Sequence, residues 1–195
     1  YFTVSTLDFI LRRYYFTHII RGGIIMPEYD MIINDNLLET VNYNSPTTPI
    51  KASYAYFSDF PGGITPCHWH RELECIVMVK GSLEYYVNNH TFTLHEGDGI
   101  IINSNRMHLC GPIDANNQDR IRTYQTDDPD NSKYIVLLLH PDTLRFNRRM
   151  EEKYINLFLY DSNTDVLFLN RSEEWHTDAI RTITDIFHAV TEQST

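Results

Sequence analysis

The middle of the chain is a series of short stretches rich in β-branched and aromatic residues, which predict β-strands. Each stretch is bounded by Gly, Pro, Asn or Asp, the residues that favour turns. Gly81-Ser82 and Asn88-Asn89 supply the turn residues of short hairpins between neighbouring stretches. This spacing is typical of a β-sandwich or a small β-barrel. The predicted strands cover residues 52–57, 73–79, 83–87, 91–94, 99–102 and 134–139.

Apolar residues at helical spacing replace the strand pattern on both sides of this region. Before it, Leu37, Leu38 and Val41 predict a short helix over 34–40. Beyond Pro141, a moderately amphipathic series predicts a first C-terminal helix. This series consists of Leu144, Phe146, Met150, Tyr154, Ile155 and Phe158.

A second C-terminal helix has a sharper pattern. Ser172 is suited to cap its start, and Glu173 and Glu174 place negative charge at the positive end of the helix dipole. The apolar residues that follow repeat in a 3-4-3 pattern and form a seam. This seam fits two roles, which are covering an open face of the barrel and making a helix-to-helix contact in a homodimer. The candidate dimerisation residues are Ile180, Ile183, Phe187 and Val190.

These elements divide the chain into four parts. Residues 1–25 carry three arginines and end just before Met26, so they are interpreted as an upstream extension, natural or added in cloning. A short amphipathic helix packed on the domain is the alternative for this segment. Residues 26–50 are an N-terminal arm with the short helix, residues 51–141 form the barrel, and residues 142–195 form a helical dimerisation region. The predicted fold class is mostly β, followed by C-terminal helices, and α+β as a whole.

Composition and charge limit the partners of this chain. Acidic residues outnumber basic ones by 26 to 16, for a net charge of -10, which argues against a DNA-binding surface within it. The cysteines are three in number and have no C-x-x-C spacing, and no secretory signal pattern is present. A cytoplasmic location is therefore expected. No apolar run reaches the length of a membrane helix, so no membrane contact is expected.

Candidate chemistry is concentrated in an H-x-H-x3-E pattern at the start of one predicted strand. In an extended strand, residues two apart point to the same face, so His68 and His70 are directed together, and Glu74 shares their parity. Glu72 has the same parity, so parity alone does not choose between the two glutamates. His108 is a fourth candidate, because a hairpin can return it to the same interior. Such a set suits a divalent transition metal, with Zn, Ni, Fe and Mn as candidates.

The segment around these residues resembles the first motif of the cupin family. That motif, G-x5-H-x-H-x3-E-x6-G, is matched position for position at Gly62, His68, His70, Glu74 and Gly81. Chance produces the full pattern rarely, whereas an H-x-H pair alone is a weak signal.

The second cupin motif, G-x5-P-x-G-x2-H-x3-N, is matched in part. Gly97 and His108 are in place, whereas Asn103, Asn105 and Pro112 stand at the Pro, Gly and Asn positions. The departures affect turn residues, and all four residues that match the family's metal ligands are present.

Within cupins, residues 51–190 look like the N-terminal sensing domain of AraC-type bacterial transcription regulators. The resemblance implies a cupin double-stranded β-helix, or jelly-roll barrel, that binds a small, sugar-like effector. It also implies a homodimer formed through the C-terminal helices. DNA binding in that family uses a pair of helix-turn-helix motifs, and residues 1–195 contain no match to them. DNA contact is therefore expected only through a further domain.

The predicted effector site combines the four motif residues with aromatic side chains. The motif residues either hold a metal or hydrogen-bond the effector directly. Tyr54, Tyr56 and Tyr85 are candidate ligand-binding residues, and only one of the adjacent Tyr85 and Tyr86 faces inward. The resemblance favours a sensing domain without enzymatic activity. A metal-dependent cupin enzyme with three histidines and one glutamate, such as a dioxygenase, isomerase or lyase, is the alternative.

Overall fold

The computed structural model of the chain describes residues 31–113, 123–145 and 148–192. Within these ranges, two β-sheets enclose a common core, and a C-terminal helix covers one sheet from outside. The predicted extension over 1–25 lies outside the described residues, as does Phe146 of the predicted first helix. No helix in these ranges is both long enough and apolar enough to span a membrane.

Antiparallel strands build the barrel and confirm the predicted fold class. The strands are β1 (Ile32–Ile33), β2 (Glu39–Thr40), β3 (Ile50–Tyr56), β4 (Leu73–Lys80), β5 (Ser82–Val87), β6 (His90–His95), β7 (Gly99–Ile102), β8 (His108–Gly111), β9 (Lys133–Leu139) and β10 (Val166–Leu169). One sheet has the order β10-β7-β4-β9-β3 and the other has the order β6-β5-β8, while β1 and β2 pair separately. All six predicted strands are present. The pattern did not predict β8 and β10, which are only four residues each.

Strand β4 is hydrophobic without alternation because it separates two cores. Its even-numbered residues Ile76 and Met78 face the core between the sheets. Its odd-numbered residues Cys75 and Val77 face a second core beneath the C-terminal helix. A strand buried on both faces has a continuous apolar run, and its parity still sorts residues between the inside and outside of the barrel.

The predicted first C-terminal helix corresponds to a continuous helical stretch over 148–159, with a π turn at its centre. Its apolar series does not form one buried face, because Tyr154 is 52% exposed and Ile155 and Phe158 are only half-buried. Strand β10 then pairs with β7 at the edge of the barrel. The helical elements are a 3₁₀ turn at Pro141–Leu144, α1 (Arg148–Met150), a π turn at Glu151–Ile155, α2 (Asn156–Leu159) and α3 (Glu174–Glu192).

Helix α3 covers the outer face of the five-stranded sheet. Ile183 and Phe187 are buried against that sheet, and Ile180 and Val190 pack against the same cluster with part of their surface exposed. The predicted seam therefore contacts the barrel of its own chain. This arrangement corresponds to the first of the two roles that the seam fitted.

The short helix predicted over 34–40 is wrong, since this segment is a hairpin. The side-chain Oδ1 of Asn34 accepts hydrogen bonds from the backbone N–H groups of Asn36 (2.9 Å) and Leu38 (3.1 Å). Leu37 adopts a φ of 62°, in the left-handed region. Local side-chain bonds of this kind compete with helix formation and close a turn instead. The turn directs β2 back toward the barrel.

Gly81 forms the tight connection between β4 and β5 and gives a first testable prediction. Its φ is 84°, and a Cβ atom at this position would collide with Ser132 Oγ. Gly81→Ala is expected to lower the free energy of unfolding by about 2 kcal/mol, since left-handed backbone alone costs a residue with a Cβ about 1–2 kcal/mol. Urea denaturation measures this loss, with the exposed Lys80→Ala as control. Equal stability of the two variants would contradict the assigned strain.

Candidate functional site

The four motif residues come together inside the barrel. His68 and His108 face each other across an antiparallel bridge, in which each backbone N–H donates to the other's carbonyl at 3.0 and 2.9 Å. His70 lies two residues beyond His68, and Glu74 lies in β4 with the parity that faces the inner core. Backbone pairing and strand parity therefore bring residues from both motifs to one place.

The cluster is compact and withdrawn from solvent. All four residues are buried, and each offers a ligand atom that lies within 4.8 Å of the other three. Glu74 Oε2 is at the centre, 2.7 Å from His108 Nε2 and 3.4 Å from His70 Nε2. Buried polar groups at this density need a proton or a cation between them.

Each of the three histidines uses its Nδ1 atom for a backbone carbonyl. The contacts are His68 Nδ1 to Pro66 O (2.7 Å), His70 Nδ1 to Glu72 O (3.2 Å) and His108 Nδ1 to Arg106 O (2.8 Å). A carbonyl oxygen only accepts hydrogen bonds, so each Nδ1 carries a proton. The Nε2 atom of each ring is thereby left to face the carboxylates, and the ring orientation is fixed as it is in metal-binding histidines.

One of these Nε2 atoms has no hydrogen-bond partner. His108 Nε2 is fully buried, and its 2.7 Å contact with Glu74 Oε2 lacks hydrogen-bond geometry. A ring nitrogen without a hydrogen-bond partner and a neighbouring carboxylate oxygen offer two lone pairs that suit a cation. The three imidazoles and one carboxylate therefore fit a divalent transition metal.

Three of the four cluster residues, His68, His70 and Glu74, line a small cavity inside the barrel. Its free space is about 20 Å³, which is room for about one or two water molecules or for a metal ion. Apolar side chains form its inner wall, whereas Lys51 and Glu39 bring charges to it. The lining residues are Met31, Glu39, Lys51, Phe60, Thr65, His68, His70, Glu74, Tyr85, Tyr134, Val136 and Leu138.

Comparison with known proteins agrees with this geometry. Residues 56–111, which hold all four cluster residues, match the family model of the cupin domain. The barrel has the cupin fold. The resemblance of the two motifs to cupins is thereby confirmed, and the departures in the second motif have left His108 in the cluster.

A curated relative of this chain is a transcription regulator. Over 165 residues the chain is 22% identical to the uncharacterized HTH-type transcriptional regulator YdeC of Bacillus subtilis (strain 168). The alignment covers 83% of this chain and 52% of the relative, so the chain spans about half the length of the curated protein that it matches. The cupin match and this relative together support the resemblance to the cupin domain of a helix-turn-helix transcription regulator.

Solved structures with similar folds come from several bacteria. ToxT from Vibrio cholerae is 12% identical with a TM-score of 0.47, covering 71% of this chain and 47% of that one. An RmlC-like cupin from Shewanella frigidimarina is 16% identical with a TM-score of 0.35, covering 47% of this chain and 66% of that one.

Tyr85 reaches the cupin cavity, and its neighbour does not line it. The Tyr85 hydroxyl donates to Glu74 Oε1 at 2.7 Å and so holds the carboxylate in place. Tyr86 points to the opposite face, where its hydroxyl donates to Glu84 Oε2 at 2.5 Å. Tyr85 therefore positions a cluster residue.

The structure does not bring the other two candidate tyrosines to the cavity. The Tyr54 ring lies on the outer face of the cupin barrel, with its centroid 4.7 Å from that of Phe187 and 3.7 Å from Lys133 Nζ. Tyr56 lies beside the same ammonium group, at 5.7 Å. Both residues have the parity of β3 that faces away from the inner core, and stacking on a ligand in the cavity is incompatible with this position.

Glu72 is close to the cluster and faces the outer side of His70. Its Oε1 accepts a hydrogen bond from the Tyr43 hydroxyl at 2.6 Å, and its Oε2 is 3.6 Å from His70 Nδ1. The ambiguity between the two even-numbered glutamates is thus resolved, with Glu74 in the cluster and Glu72 behind it.

Glu39 is a buried acid at the cavity that sequence reasoning missed. Its Oε2 lies 3.4 Å from His68 Nε2, and its Oε1 lies 3.9 Å from Lys51 Nζ. Glu39 belongs to the segment predicted as a helix, and its approach depends on a bridge between Leu38 and Trp69 that no local pattern encodes. The turn-forming residues Asn34, Asp35 and Asn36 just before it were the weak signal of a hairpin that was available.

Burial and mutual charges set the protonation of the cluster. Burial and repulsion from the other two histidines hold the pKa of His68 well below its ordinary value. Burial alone would lower the pKa of His70, but the hydrogen bond and charge of Glu74 raise it. Burial alone would raise the pKa of Glu74, but the charge of His108 and contacts with His70 hold it well below the ordinary value. Without a metal, a proton on His70 therefore faces the ionised Glu74, where a cation would otherwise lie.

Proposed function

We propose that this chain is the effector-sensing and dimerisation cupin domain of an AraC-type transcription regulator. Two findings support this function. Residues 56–111 match the cupin model, and a curated HTH-type regulator aligns with most of this chain. The relative is about twice as long as the matched segment, so DNA binding is assigned to a further domain. The net charge of -10 agrees with a chain that does not itself contact a phosphate backbone.

We further propose that the four-residue cluster holds a divalent metal ion, such as Zn, Ni, Fe or Mn. The observation that carries this proposal is the common orientation of the histidines, whose Nδ1 atoms are engaged and whose Nε2 atoms face the carboxylates. When bound, the metal would supply a Lewis acid with an open position for an oxygen atom of the effector. Tyr85 would keep the glutamate oriented, because it already bonds the oxygen opposite to the one at the cluster centre.

The effector that fits such a site is a small molecule with hydroxyl groups. The present free space of about 20 Å³ is too small for a sugar, so its entry requires the segment before β3 to move. Met31 and Glu39 of this segment line the cavity. An effector that binds the open and closed arrangements with different affinities would shift their populations and thereby change the arrangement of an attached domain.

A thermal-stability titration tests this function. Zn²⁺, Ni²⁺, Mn²⁺ and Fe²⁺ are added first, and a panel of small sugars is added to the metal-loaded protein, because a ligand that binds only the folded state raises the melting temperature. We expect one of the metals to raise it and one of the sugars to raise it further. Absence of both effects would overturn the sensing role.

The pH dependence of metal binding gives a second test. Since the pKa of His70 is raised above its ordinary 6.5, a proton competes with the metal at and above that pH. We expect metal affinity to rise with pH until His70 is deprotonated and then to level off, with a slope of about tenfold per pH unit for one displaced proton. Competition with a calibrated chelator at several pH values measures the slope. An affinity that does not change with pH would contradict binding at His70.

A metal-dependent enzyme is the second candidate function. Sequence reasoning found no general base beyond the four cluster residues, whereas the structure places the buried carboxylate of Glu39 beside them. A carboxylate next to an open metal position is suited to accept a proton from a substrate. Product analysis by mass spectrometry, with metal-loaded protein and the candidate effector, separates the alternatives. Recovery of unchanged effector is expected for a sensor, and turnover would establish the enzyme.

The homodimer remains a proposal that rests on the resemblance. The buried part of the α3 seam is occupied by its own barrel, so a partner helix would contact the half-buried Ile180 and Val190 at the edges of that seam. Light scattering of the purified chain measures the oligomeric state, and a monomer at all concentrations would exclude this contact.

A further inference from the structure

Glu39 is held at the cupin cavity by backbone contacts with the histidine segment. Its N–H donates to Trp69 O at 2.9 Å, and Trp69 N–H donates to Leu37 O at the same distance. The Trp69 indole Nε1 also donates to Asn36 O at 2.9 Å. Strand β2 is thereby attached to the residue between His68 and His70, and Glu39 is only 5% exposed.

The contact between Glu39 and His68 needs a proton or a cation between the two facing atoms, and burial raises the pKa of the Glu39 carboxyl. Glu39 Oε2 and His68 Nε2 are 3.4 Å apart, and His68 Nδ1 already donates to a carbonyl. In this tautomer both facing atoms carry lone pairs, and neither is exposed to water. Lys51 lies beside the other carboxylate oxygen, Oε1, at 3.9 Å. The Oε2 atom is thus directed to the cluster.

The charges around the cavity balance when a divalent cation is present. Glu39, Glu72 and Glu74 contribute three negative charges, and Lys51 contributes one positive charge. A divalent ion completes the balance to zero. An additional carboxylate from an effector would leave a net negative charge in a buried site, which is costly, whereas a neutral hydroxyl would not.

We propose that Glu39 is the second carboxylate of the metal site and that it accepts a hydrogen bond from the oxygen ligand held there. Glu39 lies outside the group whose atoms are mutually within 4.8 Å, and the cavity of about 20 Å³ that Glu39 and Glu74 both line has room for one oxygen-bearing group. The site then prefers alcohols and sugar hydroxyls, which donate a proton, over carboxylates. This inference rests on the metal binding proposed above and specifies the chemical class of the effector.

The test compares metal and anion binding in Glu39→Gln and wild type. Glutamine keeps the size of the side chain and removes the charge. We expect Zn²⁺ affinity to fall by about 10–100-fold, the usual loss when a group that orients metal ligands is changed. Co²⁺-loaded protein reports anion binding through its visible spectrum. Acetate is expected to perturb this spectrum at lower concentration in Glu39→Gln than in wild type, while ethylene glycol is expected to require a higher concentration.

Two further variants control this comparison. Glu96→Gln removes an exposed charge from the same barrel and is expected to leave metal and acetate binding unchanged. Glu39→Asp keeps the negative charge, so its acetate binding is expected to be as weak as that of wild type. If wild type takes up no metal, the proposed metal site fails. If wild type binds metal and Glu39→Gln matches it in Zn²⁺ and acetate affinity, the role of Glu39 fails while the metal site stands.

Discussion

Replacing His70 with alanine is expected to lower the affinity for a divalent metal by more than about 100-fold, since changes of mere supporting groups already cost about 10–100-fold. His70 is 2% exposed, and its Nε2 faces Glu74 Oε2 at 3.4 Å. The variant removes one of the four side chains that would bind the metal. It also removes one of the contacts that lower the pKa of Glu74. Isothermal titration with Zn²⁺ measures the loss directly.

The exposed His95 provides the matched control for this experiment. His95 lies at the end of β6 and is far from the cavity lining, so His95→Ala removes an imidazole without changing the cluster. We expect wild-type affinity in this control and a second large loss in His108→Ala. Circular dichroism of the metal-free variants verifies that they are folded. Wild-type affinity in both His70→Ala and His108→Ala would refute the four-residue metal site.

Truncating Phe187 to alanine is expected to destabilise the isolated chain by about 3–5 kcal/mol, the usual cost of removing a buried phenylalanine. Phe187 is 2% exposed, lies on the face of α3 that packs against the five-stranded sheet, and contacts the Tyr54 ring. The destabilisation reflects lost apolar burial and the cavity left in the outer core. Urea denaturation followed by circular dichroism measures the difference.

The exposed Asp185 on the same helix serves as control. Asp185→Ala is expected to change the free energy of unfolding by less than about 0.5 kcal/mol. Light scattering gives the oligomeric state of wild type, Phe187→Ala and Asp185→Ala. It shows whether Phe187 contributes to a dimer contact or only to packing within the chain. A Phe187→Ala variant that becomes monomeric without loss of stability would contradict the packing described for α3 and favour the helix-to-helix role.

Much of the barrel could be predicted because its strands have local sequence patterns. Apolar and β-branched stretches between turn residues identified six strands, and parity placed His68, His70 and Glu74 on one face. His108 was a candidate because a hairpin could return it to the interior, and the second cupin motif supported it, but its approach depends on a bridge across about forty residues of sequence.

The errors of the sequence analysis have two physical causes, which are local turn and parity signals that were overlooked and contacts between residues remote in sequence. The apolar spacing of Leu37 and Leu38 indicated a helix, but the Asn34 side chain and a left-handed Leu37 close a hairpin. That hairpin brings Glu39 to His68, so the error in secondary structure also hid a site residue. Tyr54 was assigned to the ligand site on residue type, whereas the parity of β3 directs it outward to α3.

X-ray absorption spectroscopy of the Zn²⁺-loaded chain tests the central claim most directly. The account predicts a first shell of nitrogen and oxygen at about 2.0–2.2 Å, with the scattering pattern of three imidazoles and no sulfur. This result would agree with His68, His70 and His108 beside Glu74 as the ligands, and loss of imidazole scattering in His70→Ala would connect it to this cluster. A shell that contains sulfur or lacks imidazole, or a protein that takes up no metal, would contradict the metal centre at the core of this cupin.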